Sequence, residues 1–137
     1  MKEIKFRSWI KEENIMLYGL NATENGYFTH GFRHRKSEVK MMQYVCLLDI
    51  DRNEIYEDDI LEYTFPNGDV RKFIVSIETV IREIVTYPNF YPKTCRVAIT
   101  GVVFKWDGYK MFPCINGDGV CDNEKMKIIG NIHEGIN

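Results

Sequence analysis

The stretch that decides the fold class is residues 97–112, which read VAITGVVFKWDGYKMF. Its β-branched and aromatic residues favour strands, and Asp107-Gly108 accepts the positive φ angles of a two-residue hairpin turn. Such a turn would place Trp106 opposite Tyr109 as a cross-strand aromatic pair. We therefore predict an antiparallel hairpin here and a mainly β protein.

Similar signals recur along the chain. Residues 60–65 and 70–75 flank the turn-forming residues 66–69 (PNGD), and Asn25-Gly26 precedes a short aromatic run, so two more hairpins are predicted. Apolar alternation or continuity predicts further strands at residues 4–10, 16–18, 41–48 and 127–132. In the first of these, one face should meet the core while Arg7 and Trp9 point to the other side.

Residues 77–87 are ambiguous. Isoleucines and valines stand there at helical spacing, yet β-branched residues lose rotamer freedom in helices. We expect a strand and keep a short helix as the alternative.

Length and charge describe one soluble domain. A chain of 137 residues buries enough surface to fold without a disulfide or metal, and its net charge of −2 gives no overall basic field for nucleic acid. No stretch approaches the ~20 apolar residues of a membrane span, and the N-terminus lacks the apolar middle of an export signal. We therefore predict a cytoplasmic protein without membrane contact.

The four cysteines agree with that location. Cys46, Cys95, Cys114 and Cys121 form no C-x-x-C pair and are expected to be reduced thiols. Whether Cys114 pairs with Cys121 is left open by the sequence.

Two metal-site patterns fail on their details. Asp49, Asp51 and Asn53 offer oxygens at the spacing of a calcium loop, but Glu54 and Ile60 occupy the positions that need glycine and a bidentate glutamate. The remaining pairs, His30 with His34 and Cys114 with Cys121, lack the tight spacing of zinc sites. We predict a turn at 49–53 and no cofactor.

Two charged segments carry functional alternatives. Acidic residues crowd between Glu54 and Asp59, and paired carboxylates can act as general acids, so a small hydrolase-like enzyme is one hypothesis. A basic strip over residues 33–40 suggests contact with single-stranded nucleic acid through Arg33, Arg35 and Lys36. A solvated surface loop is the alternative explanation for the acidic segment and for the basic strip.

Three blocks of the sequence together resemble the YopX protein family of bacteriophages and prophages. The opening block is residues 3–9 (EIKFRSW), and the middle block runs from Met42-Gln43-Tyr44 through Asp49 to residues 54–60 (EIYEDDI). The closing block is residues 129–134 (IGNIHE). The blocks lie in the family's order and span the chain from end to end.

The resemblance implies a fold and leaves the chemistry open. It implies an irregular all-β N-terminal subdomain, residues 1–57, followed by an SH3-like small barrel, residues 58–137. The family's signature glycines fall on Cys46, Arg52 and Asp58. A left-handed arginine would be strained, so we expect a different turn type around Arg52. No catalytic or ligand-binding residue carries over.

From these observations we predict a non-enzymatic phage or prophage accessory protein that binds a macromolecule. A protein partner is favoured, and uncovered sheet edges would allow a homo-oligomer. We interpret the signature residues as structural, because large amphipathic side chains mostly pack cores. These residues are Phe6, Trp9, Gln43, Tyr44, Ile55, Tyr56, Asp59, Gly130 and Asn131.

Overall fold

A computed structural model describes residues 3–19, 39–86 and 93–137. These residues form ten strands and one short 3-10 helix, Asp122–Lys125, so the prediction of a mainly β protein is confirmed. The strands are β1 (Phe6–Ile10), β2 (Ile15–Tyr18), β3 (Val39–Leu48), β4 (Glu54–Tyr56), β5 (Asp59–Thr64), β6 (Val70–Val85), β7 (Thr94–Trp106), β8 (Tyr109–Met111), β9 (Lys127–Asn131) and β10 (Gly135–Ile136).

The strands form two antiparallel sheets. The first has the order β2-β1-β3-β4 and the second the order β10-β9-β5-β6-β7-β8, which curls into a half-barrel. The chain leaves the first sheet after Tyr56 and enters the second at Asp59. Closure into an SH3-like barrel, and separate folding of the two parts at this point, stay predictions from the sequence.

Two of the three turn signals located hairpins that the structure shows. Trp106 pairs with Tyr109 across the Asp107-Gly108 turn, and the two rings stack with centroids 5.5 Å apart. β5 and β6 form the second predicted hairpin, and β6 continues through Val85, so residues 77–85 are strand and the helical alternative is wrong. The hairpin at Asn25-Gly26 lies outside the described residues.

One hydrophobic core serves both sheets. Its buried members from the first sheet are Val45 and Ile55, and they pack against residues of the second sheet and of the segment that precedes β9. Those residues are Leu61, Phe73, Val75, Phe104 and Met126. Apolar residues of the two sheets are therefore buried against each other in a single core.

β1 departs from the expected one-sided pattern. Arg7 and Trp9 are 3% and 7% exposed, and on the opposite face Ser8 and Ile10 are fully buried. The reason is tertiary, since the face of β1 that carries Arg7 and Trp9 contacts residues of the second sheet.

The long β6–β7 hairpin extends beyond its neighbours. β5 pairs with β6 only as far as Ile74, and β8 pairs with β7 only from Phe104 onward. Beyond these points the hairpin is a two-stranded ribbon with exposed side chains at Ile81 and Val85. The self-association predicted from the sequence would use these edges.

All three positions that align with family glycines have left-handed backbone. The φ angles are +66° at Cys46, +66° at Arg52 and +71° at Asp58. Cys46 lies where the β3–β4 register shifts, and Asp58 lies where the chain passes between the sheets. The expectation of a different turn at Arg52 is wrong, because this chain keeps the left-handed backbone with a bulky residue.

The side chain of Asp49 holds that turn. Its Oδ1 accepts hydrogen bonds from the backbone N–H groups of Asp51 and Asn53, at 2.9 and 2.8 Å. Its Oδ2 accepts one from Ile128 at 3.0 Å. A buried carboxylate with three donors fixes the loop, and the sequence-based prediction of a turn at 49–53 is confirmed.

We predict that Arg52→Gly stabilises the protein by about 0.5–1 kcal/mol. The left-handed conformation costs a residue with a Cβ about 1–2 kcal/mol, and the extra chain entropy of glycine returns about 0.5–1 kcal/mol of that. Chemical denaturation measures the difference. Arg52→Ala is the control, because it removes the side chain and keeps the strain; equal stability of the two variants would contradict the prediction.

Candidate functional site

A pocket of about 310 Å³ lies at the junction of the two sheets. Residues of the opening, middle and closing sequence blocks meet there, although they are far apart in the chain. The lining residues are Arg7, Tyr18, Glu54, Tyr56, Asp59, Ile128, Gly130, Asn131, Glu134 and Asn137. We refer to it as the junction pocket.

A buried ion pair connects the two sheets at this pocket. The Arg7 guanidinium lies 2.9 Å from Asp59 Oδ1, and both side chains are 3% exposed. Arg7 also donates to the Glu57 carbonyl at 2.9 Å and lies over the Tyr56 ring, whereas its Nε has no partner in the described structure. The second oxygen of Asp59 accepts the Tyr56 N–H at 2.8 Å.

The charge on Asp59 depends on this pairing. Burial raises the pKa of the Asp59 carboxyl above its ordinary value, and the Arg7 guanidinium and the Tyr56 N–H oppose that rise. Burial likewise raises the pKa of the Tyr56 hydroxyl. Arg7 therefore keeps a carboxylate at a position where desolvation favours the neutral acid.

Two further carboxylates stand at the rim of the junction pocket. Glu54 is paired with Lys5. Glu134 accepts a hydrogen bond from the Asn131 amide at 3.0 Å. The rings of Tyr18 and Tyr56 meet edge to face at 5.7 Å and form an aromatic wall.

The closing block positions Glu134. The Asn131 Oδ1 accepts the backbone N–H groups of His133 and Glu134 at 3.0 and 2.8 Å, which shapes the turn between β9 and β10. Gly130 has a φ of +151°, and a Cβ there would lie 2.1 Å from the Gly135 carbonyl oxygen. Glycine at 130 therefore permits the close β9–β10 pairing.

A second pocket, of about 710 Å³, lies on the other side of the junction. The Trp9 and His133 rings stack there with centroids 5.6 Å apart. The His133 Nε2 lies 2.8 Å from Asp58 Oδ2, and Lys40 lies 3.8 Å from the same oxygen. Its remaining lining residues are Lys11, Asn14, Val39 and Ile132. We refer to it as the lysine pocket.

The other signature residues lie next to the junction. Gln43 exchanges two hydrogen bonds with Glu57, one through its N–H and one through its carbonyl. Tyr44 packs against Tyr56 at 5.8 Å. Phe6 pairs with Gln43 across β1 and β3, and Ile55 is fully buried.

Arg7 is the important residue that the sequence analysis missed. Strand alternation alone predicts that Arg7 points away from the core, whereas the structure buries it. The available signal was chemical, since the opening block contains the cations Lys5 and Arg7 and the middle block contains Asp59, interpreted as structural without a partner. Opposite charges in two recurring blocks indicate a pair.

The acidic segment is not a solvated turn throughout. Asp59 is 2% exposed, and Glu54 and Asp59 both line the junction pocket, whereas Asp58 faces the lysine pocket through His133. The basic residues Arg33, Arg35 and Lys36 and the pair His30 and His34 lie outside the described residues.

The four cysteines are free, and the described residues contain no cluster of metal ligands. Cys114 and Cys121 are free thiols in the structure. Within residues 3–19, 39–86 and 93–137, no three His, Cys, Asp or Glu side chains are grouped as metal ligands. No helix in these ranges is long and apolar enough to cross a bilayer.

We predict that Arg7→Met destabilises the protein by about 3–5 kcal/mol, because it leaves a buried carboxylate without its partner. Asp59→Asn in the same chain should restore about 2 kcal/mol, since it removes the unpaired charge. Chemical denaturation of the single and double variants gives both values. Lys5→Met, which removes an exposed cation near the same strand, should cost much less.

The pH dependence provides a check on the same pair. The pKa of Asp59 is raised by burial even with Arg7 present, and the loss of Arg7 leaves the Tyr56 N–H as the main group that opposes this rise. The folded state of the variant therefore holds the proton more tightly than the unfolded state. The stability of Arg7→Met should therefore rise as the pH falls from 7 towards the ordinary aspartate pKa of about 3.9. A deficit that is independent of pH, together with no recovery in the double variant, would contradict a buried charge pair.

Comparison with known proteins identifies the family. The family model described as YopX protein matches residues 5–136. No curated protein matches the sequence. The matched range contains the junction pocket except for its last lining residue, Asn137, and includes nearly all of the chain. The protein is therefore a member of the YopX family.

Proposed function

We propose that this protein is a non-enzymatic accessory protein of a phage or prophage, acting in the cytoplasm of the bacterial host by binding a protein partner. The observation that carries the proposal is the junction pocket, whose rim combines the Glu54 and Glu134 carboxylates with the Tyr18 and Tyr56 rings. Its volume of about 310 Å³ suits a side chain presented by a partner.

Charge and shape favour a basic side chain. The charged side chains that line the pocket are Arg7, Glu54, Asp59 and Glu134. Arg7 is committed to Asp59 and Glu54 is paired with Lys5, so the Glu134 carboxylate is the main acidic group open to a ligand. Carboxylates bind a guanidinium or ammonium group through charge-assisted hydrogen bonds, and tyrosine faces attract the same cations. An arginine or lysine of the partner is therefore the expected ligand.

The same contacts argue against hydrolysis. The hydrolase hypothesis needs a carboxylate that is able to exchange a proton with a substrate. Asp59 uses both oxygens on Arg7 and the Tyr56 N–H, and Glu57 accepts the Gln43 N–H at 2.9 Å. Glu54 is paired with Lys5. These commitments support a structural and binding role for the acidic segment.

A titration with short peptides tests the proposal. The peptide acetyl-Gly-Arg-Gly-amide should shift the backbone NMR resonances of Tyr56, Asn131 and Glu134 saturably. The same peptide with citrulline, which is neutral, should bind at least 5-fold more weakly. Glu134→Gln should weaken the arginine peptide about as much, while its Oε1 still accepts the Asn131 amide.

Glu83→Gln is the matched control, because Glu83 is an exposed carboxylate on the β6–β7 ribbon, away from the pocket. This variant should bind the arginine peptide like the unchanged protein. Equal binding of the arginine and citrulline peptides, or equal effects of the two glutamate substitutions, would refute recognition of a cation at the junction pocket.

A second candidate function is binding of single-stranded nucleic acid. Lys40, the last cation of the basic strip, lines the lysine pocket together with Lys11 and the stacked Trp9 and His133 rings. Cations beside aromatic rings are typical of single-strand binding surfaces. The exposed fraction of the Trp9 side chain is only 7%, which favours the protein-binding proposal.

Gel-shift assays with single-stranded oligonucleotides decide on this candidate. If it is correct, binding weakens steeply with added salt. The triple substitution Arg33→Ala/Arg35→Ala/Lys36→Ala lowers affinity by an order of magnitude or more, because the variant makes fewer phosphate contacts and its binding therefore releases fewer counterions. Lys93→Ala/Arg96→Ala/Lys127→Ala, a set of exposed cations elsewhere, is the matched control. Unchanged affinity in the first variant would eliminate the nucleic-acid candidate.

A further inference from the structure

Arg71 is held between two aromatic rings at the far side of the second sheet. Its guanidinium carbon lies 3.7 Å from the centroid of the Trp106 ring and 4.9 Å from that of Phe65. Tyr109 stacks on Trp106 at 5.5 Å, and Tyr63 meets Phe65 edge to face at 4.7 Å. These contacts fix the plane of the guanidinium without using its N–H groups.

No carboxylate neutralises this arginine within the described part of the chain. Salt bridges join Arg7 to Asp59 and Lys105 and Lys110 to Glu78, but no described acid lies within 4.0 Å of the Arg71 guanidinium. Nor does that guanidinium donate a hydrogen bond to any described residue. A planar fork of five donors, with its faces covered and its edges unpaired, suits bidentate recognition of an oxyanion.

The arginine lines a pocket of about 200 Å³. Tyr63, Phe65, Phe73 and Met111 give the pocket an apolar wall, and Lys125 adds a second cation. The carboxylate of Asp122 also lines it, but one of its oxygens accepts the Cys114 N–H at 2.9 Å. The pocket lining therefore carries more positive than negative charge.

We propose that this pocket is an oxyanion-binding site, separate from the junction pocket. Its ligand is a carboxylate or phosphate carried on a small aromatic or apolar group: the head group binds the edge of the Arg71 guanidinium and the apolar body packs on the Tyr63, Phe65 and Met111 side chains. The sandwich between Phe65 and Trp106 preorganises the arginine, so little side-chain entropy is lost on binding. The proposal is independent of the proposed function.

Benzoate, phenyl phosphate and the neutral benzamide are the probes for this site. In a two-dimensional NMR titration, both anions should shift the Arg71 Nε–H and Trp106 indole N–H resonances saturably, whereas benzamide should bind at least 10-fold more weakly. The anion with the higher affinity identifies the head group that the site prefers. Absence of saturable shifts with both anions would overturn the proposal.

Substitutions separate the ligand site from a purely structural stack. Arg71→Gln should reduce anion affinity at least 10-fold, and Lys125→Gln about 3-fold, because each removes a cation from the pocket. Lys72→Gln is the matched control, since Lys72 is an exposed neighbour in β6 and does not line the pocket. If Arg71→Gln fails to fold, Lys125→Gln and the benzamide comparison still decide. Equal affinity of the Lys125→Gln and Lys72→Gln variants for benzoate, with equal binding of benzamide, would refute the site.

Discussion

The buried Arg7–Asp59 pair is the constraint on which the junction of this protein depends. Taking two charges out of water costs several kcal/mol per ion. Their mutual attraction offsets that cost only if further hydrogen bonds satisfy the remaining donors and acceptors. Here the Tyr56 N–H and the Glu57 carbonyl supply those bonds, and the Tyr56 ring covers the guanidinium. The pair therefore fixes how β1 meets the start of β5, and the walls of the junction pocket follow from that placement.

Local chemistry made most of the fold predictable, and long-range pairing made the site unpredictable. A hairpin such as 97–112 is decided by a few adjacent residues, because Asp107-Gly108 sets the turn and Trp106 and Tyr109 confirm the register. Arg7 meets Asp59 across 52 positions of sequence, and no periodicity reports such a contact. The alternation rule failed at β1 for the same reason, since a second sheet covers the face that the rule assigned to solvent.

The left-handed residues show what a family resemblance adds and where it stops. The family's signature glycines fall on Cys46, Arg52 and Asp58, and the structure shows positive φ at all three. The strain of a left-handed arginine predicts that the backbone changes at Arg52, and that prediction is wrong. The structure retains the left-handed backbone, and the Asp49 carboxylate supports it by accepting the N–H groups of Asp51 and Asn53 in the loop and of Ile128 in β9.

The crossing between the sheets also explains why the junction pocket, which is lined by carboxylates, lies beside the lysine pocket. Asp58 lies in the left-handed turn between β4 and β5, whereas Asp59 is the first residue of β5, and their side chains point to different sides of the crossing. Asp59 turns inward to Arg7 under the acidic junction pocket, and Asp58 turns to His133 and Lys40 in the lysine pocket. A cationic ligand and an anionic ligand would then approach one short segment from its two sides, and each would meet an aspartate already matched to a cation of the protein. That arrangement pairs both aspartates with basic side chains of the protein. At the rim of the junction pocket Glu54 is likewise paired with Lys5, so among the described residues Glu134 is the rim carboxylate without a cationic partner.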